Sequence, residues 1–386
     1  MKYISKENIV NKNVLVRCDF NVPIKNNRIT DDSKIKKSLK TINYLLENNN
    51  RVILFSHFGR VKTNEDKENN SLRLVFQELK KYLNIVFIEN NENIEFYLNN
   101  SKSNCFLVEN TRFTDIPVKR ESKNDLELAK YWASFGDIFV LDAFASMHRV
   151  HSSTSGIGAF LPTYIGFLVE EEIENLKEIV DIKNNHFVVI MGGAKVDDKI
   201  LIINDLVKKC DYLILTGGIL NTFLKVTGKN VGKSLISEDE DVLKSVKNIL
   251  DNYCEKLIFN NRFVVFNNEN IQEKCIEEVC DEDIIYDNIV DINNIVTSDT
   301  IVFLNGTCGK FEEEKYENGT KLLLNNLKNS QAKIYVGGGD TVSAVTKYGY
   351  EKDFVYLSSG GGATLEYVST GKINALEWIK ENGVEK

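Results

Sequence analysis

The chain has 386 residues, of which 42% are hydrophobic and 27% charged, so it is long enough for two domains with buried cores. A formal net charge of −8 argues against nucleic acid or an anionic membrane surface as the main partner. The sequence shows neither a membrane-spanning run nor a secretion signal, and its seven cysteines include no CxxC pair, which favours a reduced, cytoplasmic protein.

Short apolar runs alternate with longer amphipathic runs along the chain, which predicts βαβ units around a buried parallel sheet and therefore the α/β class. In chain order the predicted strands are VLVRCDF, VILFSHF, CFLVEN, DIFVLDAF, HFVVIMGG, DYLILTGG, TIVFLNG, KIYVGGG and FVYLSSGGG. Helical patterns lie between these strands in the stretches ESKNDLELAKYWASF and DKILIINDLVKKC.

The two halves of the chain differ in the segments directly after their predicted strands. The first four strands run into the polar or basic segments RCDFN, SHFGR, ENTRF and DAFASMHRVHSS. The last five strands run into glycine, in the segments MGGAK, TGG, NGTCGK, GGGDT and SSGGG. Because ligands bind at the carboxyl ends of parallel strands, the first half offers cations and hydrogen-bond donors to a small anion. The second half offers bare backbone, as phosphate-binding turns do.

The segment GFLVEEEIENLKEIVD, residues 166–181, has apolar residues at helical spacing and a strongly acidic face. We interpret it as a helix that joins a domain at residues 1–165 to a domain at residues 182–369. An ordinary surface helix is the alternative.

Arginine and histidine recur at matching strand ends in the first half of the chain. These residues are His57, Arg60, Arg112, Arg149 and the pair His148 and His151. Any one of them alone is more often a solvated loop residue, but their recurrence favours an anion site, because arginine grips carboxylate and phosphate bidentately. Asp19 and Asn21 suit recognition of a hydroxyl and a carboxylate beside that site. The alternatives are a turn-capping carboxylate for Asp19 and an Asx turn before Pro23 for Asn21.

Glycine-rich turns in the second half predict a nucleotide triphosphate site. The turn GGAKVDDK opens a predicted helix, and its lysines Lys195 and Lys199 are four residues apart, which places both on one helical face. In GGGDT, Asp340 is either a helix N-cap or a ligand of Mg²⁺ that bridges nucleotide phosphates. Glu312 is a candidate acceptor for hydrogen bonds from a ribose. Neither GxxxxGK[ST] nor GxGxxG occurs, which disfavours a P-loop or a dinucleotide fold.

These motifs occur together in one order, and through them the chain resembles the phosphoglycerate kinase family over essentially its full length. The matching stretches are VRCDFNVP, ITDD, SHFGR, VENTRF, DAF with HRVHSS, GGAKVDDKI, TGGILNTFLK, VGKSL, NG, GGGDT and SSGGGATLEY. The resemblance implies two doubly wound parallel-sheet domains joined by a hinge helix. It assigns phosphoglycerate to the domain at 1–165, with the C-terminal helix of residues 370–386 packed against it, and nucleotide to the domain at 182–369.

The resemblance also implies roles for individual residues. The residues that match triose-binding positions are Asp19, Phe20, Asn21, Lys34, His57, Phe58, Gly59, Arg60, Arg112 and Arg149. The residues that match nucleotide-binding positions are Gly193, Lys195, Lys199, Gly217, Asn305, Glu312, Gly338, Gly339, Asp340 and Thr341. Among them, the implied catalytic residues are Lys34, Lys195 and Arg149. Asp340 is the implied metal residue, holding Mg²⁺ mostly through the nucleotide phosphates.

Several positions depart from the family pattern, and the most consequential is Lys34, which stands where the family has a catalytic arginine. A single ammonium replaces a fork of donors, so we expect slower turnover unless Arg28 or Lys36 compensates. The other departures are Val61 in the SHFGR turn, Ala145, Ser146 and Met147 after DAF, and Thr307, Cys308 and Lys310 near the expected adenosine.

The implied reaction is the reversible transfer of a phosphoryl group between 1,3-bisphosphoglycerate and ADP, giving 3-phosphoglycerate and ATP in glycolysis. A carboxylate nucleophile with a pKa of about 3.5 is ionised at neutral pH, so charge stabilisation in a closing cleft suffices without a general base. The alternative is a catalytically weakened paralogue that binds nucleotide or phosphoglycerate as a regulatory or interaction protein. We expect a cytoplasmic monomer that uses Mg²⁺ and binds neither nucleic acid nor membrane.

Overall fold

The computed structural model of the protein describes residues 2–183, 185–267, 270–358 and 360–384. The chain forms two compact units, one made of Met1–Glu174 and Lys372–Lys386 and the other of Asn175–Gly371. None of the described helices is long and apolar enough to cross a membrane.

The first unit is built on a parallel sheet. Its strands are β1 (Lys2–Tyr3), β2 (Asn13–Cys18), β3 (Ile24–Lys25), β4 (Arg28–Ile29), β5 (Arg51–Phe55), β6 (Val86–Ile88), β7 (Cys105–Val108), β8 (Ile138–Asp142) and β9 (Thr163–Ile165). The parallel sheet has the order β1-β9-β8-β2-β5-β7-β6, and β3 and β4 form a separate antiparallel hairpin. The four strands predicted in this half, β2, β5, β7 and β8, are therefore confirmed, and they are neighbours in the sheet.

The helices of this unit follow the strands. They are α1 (Ser33–Glu47), α2 (Glu65–Asn69), α3 (Arg73–Leu79), α4 (Ile94–Asn100) and α5 (Leu126–Ala133), with 3-10 turns at Ile4–Lys6, Thr111–Asp115, Phe144–Ser146 and Gly156–Ala159. Helix α5 is shorter than the predicted stretch because the Asp125 side chain accepts a hydrogen bond from the backbone N–H of Leu128 and begins the helix there. The strand side chains of Val14, Val16 and Val52 are fully buried, as expected for a sheet covered on both faces.

The helix predicted at residues 166–181 is α6 (Phe167–Val180), and the division between the two units falls within it. It begins where the buried carboxylate of Asp142, the last residue of β8, accepts hydrogen bonds from the N–H groups of Leu168 and Val169 at 2.9 and 3.3 Å. A carboxylate at this position satisfies two of the N–H groups that a helix start leaves without a partner.

The second unit contains a second parallel sheet. Its strands are β10 (His186–Met191), β11 (Tyr212–Leu215), β12 (Leu257–Ile258), β13 (Arg262–Asn267), β14 (Asn270–Cys275), β15 (Ile284–Ile289), β16 (Thr300–Asn305), β17 (Lys333–Gly337) and β18 (Tyr356–Ser358). The parallel sheet has the order β12-β11-β10-β16-β17-β18, so all five strands predicted in this half are confirmed. Strands β14, β13 and β15 form an antiparallel sheet that the sequence did not predict.

The remaining helices complete the α/β architecture. They are α7 (Ile200–Lys209), α8 (Gly217–Val226), α9 (Glu240–Tyr253), α10 (Asn318–Ser330), α11 (Gly339–Tyr348), α12 (Gly362–Thr370) and α13 (Asn374–Asn382), with 3-10 turns at Cys254–Lys256, Ile276–Glu278 and Glu314–Tyr316. Helix α13 belongs to the first unit, where the N–H of Ala375 donates to the Met147 carbonyl at 2.9 Å. The predicted α/β class with two parallel sheets is confirmed.

Candidate active site

Lys34 contacts Asp19, which lies directly after strand β2, at the tip of that strand. The carboxylate of Asp19, which is only 5% exposed, accepts a hydrogen bond from the Lys34 ammonium at 2.8 Å through Oδ2. Its other oxygen, Oδ1, accepts from the backbone N–H of Asn21 at 3.1 Å. Asp19 therefore caps its own turn, as the alternative held, and also forms an ion pair with the second residue of α1.

Side-chain hydrogen bonds join the strand-end turns of β2 and β5 to each other. The N–H of Phe20 donates to Ser56 Oγ at 2.9 Å, and the N–H of Gly59 donates to Asn21 Oδ1 at 3.0 Å. The Asn21 side chain thus reaches the SHFGR turn instead of closing an Asx turn before Pro23. Because both links run between neighbouring strands, they hold the polar groups of two motifs in one place.

Asn110, which the sequence reasoning overlooked, ties the SHFGR turn to the ENTRF turn. Its Oδ1 accepts from the N–H groups of Phe58 and Arg112 at 3.1 and 3.0 Å. Its Nδ2 donates to the carbonyls of Phe58 and Asn70, both at 2.7 Å. Asn110 is fully buried, so these bonds satisfy both ends of its amide. The sequence feature that could have identified Asn110 is its position directly before Thr111 and Arg112 in a strand-end motif.

Three predicted arginines line one pocket of about 620 Å³ in the first unit, namely Arg60, Arg112 and Arg149. Lys62 and Lys119 add two further cations to its wall. Burial lowers the pKa of the Arg112 guanidinium, and the nearby charges of Arg17 and Arg149 lower it further. A bound anion would relieve this repulsion between like charges.

Burial and neighbouring positive charge lower the pKa values of the three histidines of this half, which favours their neutral form. Burial, followed by the charge of Arg17, holds the pKa of His57 well below its usual range. The same two causes lower the pKa of His151 to about 3, and burial with Arg149 lowers the pKa of His148. These rings therefore offer hydrogen bonds to an anion, and the arginines and lysines supply the positive charge.

In the second unit, Lys199 joins the ends of two parallel strands. Its ammonium donates to the Gly192 carbonyl, after β10, and to Asn305 Oδ1, at the end of β16, both at 2.7 Å. The Asn305 amide in turn donates to the Gly337 carbonyl of β17 at 2.6 Å. Burial lowers the pKa of the Lys199 ammonium to about 8, and the carboxylate of Asp340 opposes that shift.

The two lysines of GGAKVDDK do not share a helical face, so that prediction is wrong. Helix α7 begins only at Ile200; Lys199 is its N-cap residue, and Lys195 lies exposed in the preceding turn. Gly193 adopts a φ of +140°, which keeps the chain after β10 out of the helical conformation.

The GGGDT turn forms the start of α11. Gly338, at a φ of +98°, is the N-cap residue, so the alternative that Asp340 caps the helix is wrong. A Cβ at Gly338 would lie 2.8 Å from the Asn305 Nδ2. Thr341 Oγ1 accepts from the N–H of Gly306 at 2.7 Å, which ties this turn to the NG motif. The arrangement leaves Gly339 and Asp340 exposed at the positive end of a helix dipole, where phosphate binds well.

A second pocket, of about 270 Å³, lies among these glycine turns. Its wall includes Gly193, Gly217, Tyr286, Asp287, Thr307, Cys308, Lys310, Phe311, Glu312 and Asp340. Lys310, one of the departures from the family pattern, places its ammonium 4.7 Å from the centroid of the Tyr286 ring. Asp287, which the sequence reasoning missed, is buried, and burial raises the pKa of its carboxyl to about 7.

The carboxylates of the second pocket suit a divalent cation that is held partly by the protein and partly by substrate phosphates. Among the described residues, no three acidic, histidine or cysteine side chains are grouped as a cluster that would hold a metal ion. Asp340 is an exposed carboxylate in the GGGDT turn, and the other carboxylates on the wall are exposed Glu312 and buried Asp287. That arrangement fits Mg²⁺, which is commonly held by one or two carboxylates together with substrate phosphates.

One α/β unit has an arginine-lined pocket that suits a small anion, and the other has a glycine-lined pocket with a lysine. This combination is typical of a kinase-like phosphotransferase. A family model described as phosphoglycerate kinase matches residues 4–372. On this match the chain belongs to the phosphoglycerate kinase family.

Relatives and solved structures agree with this membership. The chain is 40% identical over 408 aligned residues to the phosphoglycerate kinase of Enterococcus faecalis, covering 98% of this chain and 99% of the relative. It is 38% identical over 395 residues to that of Staphylococcus epidermidis, with the same coverage. The structure of phosphoglycerate kinase from Coxiella burnetii matches with a TM-score of 0.81, 33% identity and 98% coverage of both chains.

The chain is thus an enzyme of the phosphoglycerate kinase type, a transferase of glycolysis that acts on 3-phosphoglycerate and ADP or ATP. Nothing in these matches supports the alternative of a weakened paralogue.

Proposed function

We propose that the first unit binds the phosphoglycerate substrate and that the pocket of Arg60, Arg112 and Arg149 holds its phosphate. The convergence of these three arginines on one pocket is the observation that carries this assignment. Arginine forks match the geometry of phosphate oxygens, and several of them together offset the charge of a dianion. Gly59 contributes by bringing its turn to Arg112, which donates to the Gly59 carbonyl.

The tip of β2 is proposed to bind the other end of the same molecule. Asp19 is a buried acceptor that suits the substrate hydroxyl, and the Lys34 ammonium beside it suits the carboxylate. Asn21 and His57 add hydrogen-bonding groups to this end. Phe20 and Phe58, both buried, support the backbone of the two turns and exclude water from it.

The second unit is proposed to bind the nucleotide. The turn of Gly338, Gly339, Asp340 and Thr341 offers helix N–H groups to the phosphates, and Lys199 offers a half-buried ammonium. Gly193 and Gly217 allow close approach of backbone, since both have positive φ values. Asn305 orients Lys199, Glu312 accepts from the ribose, and exposed Lys195 contacts the transferring phosphoryl group.

Mg²⁺ is proposed as the cofactor, with Asp340 as its protein ligand. When bound, Mg²⁺ would neutralise negative charge on the nucleotide phosphates. We also propose that the protein acts as a monomer in the cytoplasm, where glycolysis runs, and that the domain roles follow the division at residues 1–165 and 182–369.

Transfer needs alignment and charge stabilisation more than proton chemistry. The nucleophile in the ATP-consuming direction is a carboxylate, which is already ionised near pH 7. Because no proton has to be removed from this nucleophile, neither His57 nor His151 is needed as a general base. Lys34, Lys195 and Arg149 are proposed to stabilise the charge that spreads over the transferring oxygens.

Paired variants test the assignment of the two substrates. Arg149→Met should raise the KM for 3-phosphoglycerate by about 10- to 100-fold and leave the KM for ATP nearly unchanged, because it removes one charged phosphate contact. Lys199→Met should raise the KM for ATP instead. Arg73→Met is the matched control, since Arg73 is an exposed arginine that pairs with Glu89 outside both pockets. Equal effects of Arg149→Met on both KM values would contradict the assignment.

A further inference from the structure

Arg17 is a charged residue in the middle of an apolar strand. It is the fifth residue of β2 and its side chain is completely buried. Burying a guanidinium is unfavourable unless hydrogen bonds and counter-charges compensate it. The proposed function gives Arg17 no contact with either substrate, so its presence needs another explanation.

The guanidinium donates to three acceptors. Nη1 donates to the backbone carbonyls of Cys18 at 2.8 Å and of Phe55 at 3.5 Å. Nη2 lies 2.9 Å from Nδ1 of His57, at the head of the SHFGR turn. The carboxylates of buried Glu121 and of Asp19 stabilise the charge of Arg17 from nearby. Arg17 thus links the ends of β2 and β5, and its remaining contact is with Nδ1 of His57.

Chemistry fixes the direction of the contact with His57. A guanidinium has five N–H donors, has no acceptor and keeps its proton in proteins. The bond therefore exists only when Nδ1 of His57 carries a lone pair. A neutral ring with a lone pair on Nδ1 must carry its proton on Nε2. A charged imidazolium is incompatible with the same bond, because both of its nitrogens are donors.

We propose that Arg17 is a positioning residue for phosphoglycerate binding: it fixes the tautomer and orientation of His57, so that Nε2–H is presented as a donor to the substrate carboxylate. This inference rests on the proposed role of His57 in the substrate site. Among the described residues, the hydrogen bond of the His57 ring is the one from Arg17 at Nδ1, so Nε2–H has no protein acceptor there. Lys34 and Arg112 are among the charges that act on the ring, so an anion is the ligand that this surrounding favours.

Nitrogen-15 NMR of labelled histidine tests the tautomer directly. The chain has only four histidines, so the His57 signals can be assigned by their loss in a His57→Gln variant. In the unmodified enzyme we expect an unprotonated Nδ1 and a protonated Nε2 near neutral pH. In Arg17→Met the fixed tautomer should be replaced by a mixture of the two neutral forms, and Arg17→Lys should preserve it in part.

Kinetics separate positioning from general stability. Arg17→Met should raise the KM for 3-phosphoglycerate by about tenfold, the value of one good hydrogen bond, with little change in the KM for ATP. In the His57→Gln background, Arg17→Met should add almost nothing, since both changes act through the same contact. Arg51→Met, in the neighbouring strand β5, is the matched control and should leave both the KM values and the His57 tautomer unchanged.

A protonated Nδ1 in the unmodified enzyme would overturn the inference, and so would an unchanged His57 tautomer in folded Arg17→Met. If Arg17→Met does not fold, the same comparison is made with Arg17→Lys. There, a tenfold higher KM for 3-phosphoglycerate with an unchanged His57 tautomer would also contradict the inference, because the KM would then change without the tautomer. The NMR result does not depend on turnover. A failure of the proposed function would instead appear as absent turnover with the expected tautomer still in place.

Discussion

Replacing Lys34 with arginine should make this enzyme faster. The Lys34 ammonium already uses one of its three donors on Asp19 Oδ2 at 2.8 Å, and its side chain is only 28% exposed. Arginine can hold the same carboxylate along one edge of its fork and keep further N–H groups for the transferring oxygens. Lys34→Arg is therefore expected to retain the pair with Asp19 and to add a donor at the reacting group.

The size of the gain depends on the value of one donor. Removing a well-placed donor to developing charge costs about 10²–10³ in rate, or about 3–4 kcal/mol. Lysine keeps the charge and loses only the fixed geometry, so Lys34→Arg should raise kcat by about tenfold, near 1.4 kcal/mol. Lys34→Met removes charge and donor together and should lower kcat by about 10²–10³.

The assay couples ATP-dependent phosphorylation of 3-phosphoglycerate to oxidation of a nicotinamide cofactor and measures kcat at saturating substrates. Lys36→Arg is the matched control: it lies on the same helix, and its ammonium is paired with Asp32 at 3.0 Å on the surface. Its kcat should not change. An equal or lower kcat in folded Lys34→Arg would refute the view that Lys34 is an imperfect replacement.

Three further predictions concern the proposed nucleotide site. Burial lowers the pKa of the Lys199 ammonium to about 8, so kcat/KM for ATP should fall as pH rises from about 7 to about 9. Lys199→Arg should show a flatter pH profile. Equal pH profiles for the two enzymes would contradict this prediction. Gly338→Ala should cost about 1–3 kcal/mol in the free energy of unfolding, measured with denaturant, because of its φ of +98° and the nearby Asn305 amide. Gly339→Ala is its control and should cost almost nothing, since no atom lies within 4 Å of the added carbon. Asp340→Asn should raise the Mg²⁺ concentration needed for half-maximal rate by about tenfold at fixed ATP, with the KM for 3-phosphoglycerate unchanged; an unaltered Mg²⁺ titration would count against Asp340 as a metal ligand.

The sequence predicted the central strands because their apolar runs are buried on both faces of a parallel sheet. The run around Val14 and the run around Val188 are examples, since both are fully buried. Strand β14, by contrast, reads NIQEKC and is largely exposed, so it carries neither an apolar run nor a clear alternation. It is paired through backbone bonds to β13, which no periodicity in side chains reveals.

The same contrast holds for the site. Arg60, Arg112 and Arg149 could be found because they recur after strands, and the ends of parallel strands meet at one edge of a sheet. Arg17 could not be assigned, because its proposed role depends on a contact with His57, which follows a different strand, β5. Lys195 and Lys199 were placed on one helical face because glycine conformations are invisible in a residue pattern.

The most direct test of the account is ADP-dependent consumption of 1,3-bisphosphoglycerate by the full chain, measured with ADP and GDP side by side. We expect turnover with formation of 3-phosphoglycerate and a nucleoside triphosphate, dependent on Mg²⁺ and lost in Arg149→Met at low substrate. No turnover with either nucleotide, from a folded protein, would contradict the central claim that this chain is an active phosphoglycerate kinase.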